Sequence, residues 1–239
     1  MKAGHRQVRK RGKGRVSKMN RIRVVHDDDD IVVADKPAGL LTIGTDRERN
    51  RTLYRRLFNI ERRCREGGRV YVVHRLDRDA SGLLVFAKSV PAKRALQAQF
   101  HDRTASRTYH AVVLGSYPRD EDVLKSYLAE NRALRMYVTT DRRRGKLATT
   151  RVRVLRRAAS ATLLEVVLES GRKHQIRVHL AETGHPLLGD RRYGEDRAGP
   201  IGRLALHAVA LELEHPTTGK RMRFESPLPR RFLTPFAGE

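Results

Sequence analysis

Apolar residues in this chain fall mostly into short runs rather than long amphipathic repeats. Ile31-Val32-Val33-Ala34 is such a run, closed by Lys36-Pro37-Ala38-Gly39, and predicts a strand. Arg69 to Val73 and Leu83 to Lys88 predict strands on either side of a polar stretch. Thr108 to Gly115 predicts another. Val152 to Leu155 and Thr162 to Leu168, joined by a polar turn, predict a hairpin. Leu204 to Leu213 and Arg221 to Glu225 predict a second, around His215-Pro216-Thr217-Thr218-Gly219. Two segments read as helix. Pro91 to Phe100 has proline at its start and Ala95, Leu96 and Gln99 in its middle. Lys173 to Thr183 has Gly184 as its stop, with Pro186 after it. In that helix Ile176 and Leu180 would face the core, and His174 and Arg177 would share another face. Strands follow strands with few helices between, so the pattern predicts an α+β fold with mainly antiparallel pairing, not a doubly wound sheet.

Charge changes the picture more than composition does. The 239 residues are 39% hydrophobic, ordinary for a packed fold, but 51 Lys and Arg face 27 Asp and Glu, a net charge of +24. A polyanion is the natural partner of such a surface, because each neutralised phosphate releases counterions. Residues 1–23 hold ten of the cations and no acid, and Gly4, Gly12 and Gly14 interrupt them. They read as a flexible basic arm, solvated or laid on RNA, ahead of a body spanning 24–239. No run of about 18 apolar residues exists to span a bilayer, and no long basic amphipathic helix to lie on one. The single cysteine, Cys64, excludes an intramolecular disulfide and a Cys-rich zinc site. A cytoplasmic monomer is expected, with a mitochondrial presequence as the second reading of the arm.

Two polar segments can carry chemistry. His74-Arg75-Leu76-Asp77-Arg78-Asp79-Ala80-Ser81-Gly82 sets charged side chains between two predicted strands, where a rigid scaffold would present a site. On composition alone a surface turn laced with ion pairs explains it better. Gly171-Arg172-Lys173-His174-Gln175-Ile176-Arg177 leads into the second predicted helix, and its glycine and helix start suit a phosphate. A basic helix face touching solvent is the plainer explanation. His174, His179 and His185 lack the spacing and companion ligands of a metal site. Tyr109, at the start of a strand, is by itself a core or rim residue. No glycine-rich dinucleotide or Walker-type loop is present, so no nucleotide cofactor is expected. These features support an RNA-binding enzyme or an RNA-binding scaffold and go no further.

The segment His74-Arg75-Leu76-Asp77, continuing through Ala80-Ser81-Gly82-Leu83-Leu84 to Ala87-Lys88, resembles the signature of the RluA family of pseudouridine synthases. Asp35-Lys36-Pro37-Ala38-Gly39 resembles the segment near that family's start, and Tyr109 its active-site tyrosine. Gly171-Arg172, then His174 to His179, and on through Gly184-His185-Pro186, Gly189-Asp190 and Tyr193-Gly194, resembles its third conserved stretch. Leu206-His207-Ala208 and Phe224-Glu225-Ser226-Pro227 also fit. The resemblance runs from about Val24 to Phe232 and implies a mixed, mainly antiparallel sheet flanked by helices and loops around a central active-site cleft. It implies isomerisation of uridine in ribosomal or transfer RNA, without cofactor or metal. Asp77 would be the catalytic carboxylate, attacking C1′ or taking a proton from C2′. Arg177 would be its cationic partner, and Tyr109 would stack on the uracil and assist proton loss at C5. Arg75 would fill the gap left by a flipped-out uridine. Arg172, Lys173, His174 and Lys36 complete the expected RNA contacts, with Arg172 and Lys173 assigned to phosphate. Two departures stand out. Ala80 replaces a threonine common in the family, and the twenty-odd residues of the arm cannot form the small S4-type domain that many relatives carry. The rivals are a non-catalytic RNA-binding or ribosome-assembly protein and an RNA methyltransferase, for whose methyl donor the chain shows no glycine-rich loop.

Overall fold

The computed structural model describes residues 22–46, 48–194 and 201–237. The basic arm expected over residues 1–23 lies outside them, apart from its last two residues. Eleven strands among the described residues form one sheet. In chain order they are β1 (Arg23–Asp27), β2 (Ile31–Lys36), β3 (Tyr71–Val72), β4 (Ser81–Ala87), β5 (Ser106–Leu114), β6 (Glu121–Glu130), β7 (Met136–Thr139), β8 (Lys146–Ala158), β9 (Ala161–Leu168), β10 (Leu206–Glu214) and β11 (Arg221–Glu225). Helix α1 (Leu53–Cys64) precedes β3, α2 (Val90–His101) follows β4, and α3 (Gln175–Glu182) follows β9. A 3-10 turn over Arg230–Phe236 closes the described chain.

The sheet runs β1-β2-β4-β10-β5-β9-β8-β6-β7, with β3 on β4 and β11 on β10. Every pairing is antiparallel except β10 with β4. The two predicted hairpins are β8–β9 and β10–β11. Central strands read as continuous apolar runs because both faces are covered. Val32, Ala34, Leu84 and Phe86 pack into one cluster, while Ile31, Val33, Leu83 and Val85 pack into another with Ala92 and Leu96 of α2. Helix α2 begins as its sequence predicts, with Ser89 Oγ accepting from the Ala92 N–H and Pro91 in the first turn.

The parallel contact between β10 and β4 decides where the polar segment lies. It lasts two residue pairs, His207 with Ser81 and Ala208 with Gly82. Gly82 has φ +110°, and a Cβ there would lie 2.3 Å from the carbonyl oxygen of Ala208. Only glycine lets the strands meet so closely. The chain from His74 to Ala80 therefore enters the sheet at its middle, on the line where the β1–β4 half joins the β5–β10 half.

Several elements differ from expectation. Helix α1 carries Arg55, Arg56, Arg62 and Arg63 between its apolar positions, of which Leu53 and Leu57 are buried and Tyr54, Phe58 and Ile60 pack partly buried beside them. Thr52 caps it by accepting from the Arg55 N–H. Strands β6 and β7 are amphipathic outer strands whose exposed faces dilute the apolar signal. The helix expected from Lys173 starts at Gln175, because His174 adopts a left-handed conformation with φ +52°.

Candidate active site

A cavity of about 160 Å³ opens beside Asp77. A cavity of roughly 150 Å³ accommodates one six-membered aromatic ring, so the space suits a single base. Its apolar wall is Leu76, Ala80, Tyr109, Ile176 and Leu206, and its rim carries Arg75, Arg107, Arg172 and Lys173. Asp77, His174 and Arg177 line it too, and they also line a wider groove of about 780 Å³. That groove is bordered by Arg78, Arg191, Arg192, Arg203 and Arg231. Asp77 thus stands between a ring-sized hole and a cationic trench.

The loop that presents Asp77 is pinned on both sides by the segment 35–42. Before Asp77, Thr42 Oγ1 donates to the carbonyl of Leu76 and accepts its N–H, at 2.9 and 3.2 Å. After it, the carbonyl of Arg78 accepts from the Gly39 N–H and from Lys36 Nζ, both at 2.9 Å. Lys36 also donates to the carbonyls of Pro37 and Leu40 at 3.0 and 2.7 Å, and it is fully buried. This corrects its expected role. Its ammonium lines neither cavity nor groove and has no hydrogen left for RNA. Burial pulls its pKa down to about 7, against the pull of Asp79 and Asp77.

Behind the carboxylate stands a buried ion-pair network. Arg177 Nη1 donates to Asp77 Oδ2 at 3.3 Å. Its Nε and Nη2 hold Asp190 in a fork at 2.8 and 2.7 Å. Asp190 also accepts the backbone N–H groups of Arg192 and Tyr193. Burial alone would raise the pKa of Asp190, but Arg177 and those N–H groups outweigh it and hold the carboxyl below its usual range. Burial would likewise disfavour the charge on Arg177, yet Asp190 and Asp77 raise its pKa above the ordinary arginine value. A permanently charged guanidinium therefore faces Asp77 from a fixed direction. The Tyr193 ring lies 5.2 Å from the same guanidinium. His174 Nε2 is 3.8 Å from the other oxygen of Asp77, and burial depresses its pKa to about 4 despite that carboxylate.

Tyr109 is 3% exposed and forms part of the cavity wall, and burial raises its pKa, so the side chain is a phenol at neutral pH. Arg75 is exposed at the rim. Of the two expected phosphate contacts, Lys173 is engaged by Glu130 and the carbonyl of Leu134. Arg172 reaches the carbonyl of Leu147 through Nε at 3.3 Å and is otherwise exposed. The three histidines do not converge. His179 bonds to Thr150 and Ser126, and His185 to the carbonyl of Leu114. Ala80, where a hydroxyl was expected, is buried within an apolar cluster.

The structure thus brings Asp77, Tyr109, Arg177, His174 and Arg75 around one cavity, with Arg172 and Lys173 at its rim, and leaves Lys36 beneath it. Sequence reasoning gave no role to Arg107, Asp190 or Tyr193, nor to the arginines of the groove. Asp190 and Tyr193 lie inside the third stretch that resembles the family, and the spacing Asp-x-x-Tyr within it is the signal that points to them. Arg107 carried none.

Comparison with known proteins identifies the family. The profile of the family described as RNA pseudouridylate synthase matches residues 30–182. Ribosomal large subunit pseudouridine synthase D of Nitrosomonas europaea is 40% identical over 218 residues, which cover 87% of this chain and 62% of that protein. The protein of the same name from Pseudomonas aeruginosa is 38% identical, over 89% of this chain and 70% of its own. The chain therefore spans under two thirds of the first relative's length. Human RNA Pseudouridylate Synthase Domain Containing 4 shares the fold, with a TM-score of 0.74 at 24% identity over 89% of this chain and 91% of its own. The matched profile covers more than half of the chain, including the segments that carry Asp77, Tyr109 and Arg177, and the second relative is matched over more than two thirds of its own length: this chain belongs to the RNA pseudouridylate synthase family.

Proposed function

We propose that this protein isomerises uridine in RNA to pseudouridine, with Asp77 as the reacting carboxylate. The observation that carries the reading is the placement of Asp77 between a cavity sized for one base and a groove lined by arginines. A uridine flipped from its strand would put its base in the cavity against Tyr109, its ribose beside Asp77, and its phosphates along the groove. The reaction breaks the bond from N1 to C1′, turns the base, and forms the bond from C5 to C1′. C5 loses a proton and N1 gains one, so no redox partner or group donor is required. Asp77 either attacks C1′ or takes the C2′ proton as the base leaves. Arg177, fixed by Asp190, holds the carboxylate in orientation in either role. Tyr109 supports the base and is placed to relay the C5 proton. Arg75, at the mouth, would occupy the space the uridine vacates.

The relatives' names make large-subunit ribosomal RNA the first substrate to test, with transfer RNA second. One chain supplies every side chain of the site, which favours a monomer as the working unit. No helix among the described residues is long and apolar enough to cross a membrane, and the cytoplasm, where ribosomes assemble, is the compartment the reading requires. Asp77→Asn should bind RNA as the parent does but release no tritium from RNA labelled at uridine C5. Release at the parental rate would refute the assignment. Equal RNA binding and no release by either protein would favour the scaffold reading.

A further inference from the structure

Tyr193 touches both partners of Asp77 at once. Its ring covers the Arg177 guanidinium, and its hydroxyl lies 2.7 Å from Nδ1 of His174. The backbone N–H of Met136 donates to the same hydroxyl oxygen over 3.1 Å. A peptide N–H can only donate, so that lone pair of the phenol is taken. If His174 carried its proton on Nδ1, the hydroxyl would receive two donors and its own proton would have no acceptor. The arrangement that satisfies every group has the phenol donating to Nδ1. A neutral imidazole whose Nδ1 accepts must carry its proton on Nε2, and Nε2 is the atom facing Asp77 Oδ1 at 3.8 Å. The other oxygen, Oδ2, faces Arg177.

We infer that Tyr193 and His174 form a one-way proton line, from Met136 N–H to Tyr193 O–H to His174 Nε2–H, that presents a neutral donor to the catalytic carboxylate. The role in turnover rests on the reaction proposed above, whereas the tautomer does not. Both side chains are positioning residues, since they act on Asp77 and not on the base. At 3.8 Å the contact is beyond hydrogen-bond range, and it closes when a base fills the cavity. The backbone supports the reading. His174 is one of three non-glycine residues with positive φ among those described, and the left-handed turn sets its ring at the start of α3 instead of on its face. Burial, with Arg177, Arg192 and Lys173 nearby, keeps the ring neutral despite Asp77. A neutral donor orients the carboxylate without adding a second full positive charge that would blunt its reactivity. Arg177 supplies the charge, and His174 supplies direction.

The test is long-range proton–nitrogen correlation NMR on the full, 15N-labelled chain at neutral pH, with His174 assigned by its loss in His174→Gln. The expected spectrum has a bare Nδ1 and a protonated Nε2. Tyr193→Phe keeps the ring over Arg177 but removes the hydroxyl. It should lose the tautomer preference and lower kcat by about tenfold while leaving KM within about twofold, the scale of one hydrogen bond to a charged group. His174→Gln, which can still donate from its terminal amide, should exceed His174→Ala in kcat by a similar factor. A wild-type ring protonated on Nδ1, or on both nitrogens, overturns the inference. So does a Tyr193→Phe chain with unchanged tautomer and turnover. Should Tyr193→Phe fail to fold, the wild-type spectrum and the two His174 variants decide. A wild-type chain with the expected tautomer and no pseudouridine formation would instead overturn the proposed reaction.

Discussion

Asp190→Ala should cost more stability than any surface substitution in this protein, and a second substitution should restore most of it. The Asp190 side chain has no exposed surface and that of Arg177 has 8%. They share two hydrogen bonds of 2.8 and 2.7 Å, and Asp190 accepts two backbone N–H groups besides. Removing one member of such a pair costs about 3–5 kcal/mol, because the other charge stays buried without a partner. Asp77 is close enough to Arg177 to take up part of that charge, at 3.3 Å and with 19% of its side chain exposed. The loss should therefore fall near the lower end, about 3 kcal/mol. For a chain of this size that is a fall in Tm of roughly 6–12 °C. The folded pKa of Asp190 is depressed, so its contribution is complete above the ordinary carboxylate pKa near 3.9 and vanishes as pH falls through the lower folded value. The deficit of the variant should accordingly be full at neutral pH and shrink in acid. Arg177→Met with Asp190→Ala removes both charges, and since apolar replacements of buried pairs are often neutral, this chain should melt within about 1 kcal/mol of the parent. It should also be inactive, because Asp77 then has no cation behind it. Thermal and urea unfolding followed by circular dichroism measure all three. A single variant within about 0.5 kcal/mol of the parent, or a double variant whose losses simply add, would refute the account of this pair.

Three further outcomes follow from the same geometry. Gly82→Ala should fail to give a stable fold, or melt far below the parent in calorimetry, since its Cβ would meet the Ala208 backbone at a positive φ; a parental melt would show that β4 and β10 can part without cost. Lys36 is protonated less readily folded than unfolded, so between about pH 7 and its ordinary value of 10.5 the unfolded chain binds the extra proton. Stability then rises with pH by up to roughly 1.4 kcal/mol per unit from this group, and Lys36→Met should flatten the rise in urea midpoints between neutral and alkaline pH; an unchanged slope would contradict it. Tyr109→Phe should keep stability and KM but lower kcat, whereas Tyr109→Leu should also raise KM by removing the stacking ring, with single-turnover tritium release as the measurement; equal kcat in Tyr109→Phe and the parent would remove the hydroxyl from the mechanism.

Much of the fold was legible because the central strands are buried on both faces and read as unbroken apolar runs. Ile31 to Ala34 and Leu83 to Ala87 lie where those runs predict. What escaped was written in arginine. Helix α1 packs Leu53, Leu57, Tyr54, Phe58 and Ile60 on the core, but arginines alternate with them in the sequence and the next inward position is Glu61, whose carboxylate pairs with Lys88 at 2.9 Å. Strands β6 and β7 have one wet face each and no turn signal strong enough to part them from the loops around them.

The site was legible in a different way. Asp77, Tyr109 and Arg177 are far apart in the chain, and nothing in the physics of any one segment joins them. Only a resemblance spanning all three put them on one list. The same list misassigned Lys36, and the reason is instructive. A lysine beside Pro37 and Gly39 in a chain with so many cations looks like one more RNA contact. Whether its ammonium points out or in depends on three carbonyls, of Pro37, Leu40 and Arg78, that converge only after folding. Arg78 is the neighbour of Asp77, so the buried lysine serves the site after all, by holding the backbone that carries the carboxylate. A segment that resembles a family motif can therefore be functional without touching substrate. The lysine-proline-glycine stretch fixes one side of the Asp77 loop, Thr42 fixes the other, and Asp190 with Tyr193 fixes the cation behind it. These supports lie in two segments, 35–42 and 190–193, both remote from Asp77 in the chain, so mutations that loosen Asp77 need not lie near it in sequence, and substitution of Thr42 or Lys36 should impair turnover through geometry while leaving the cavity lining intact.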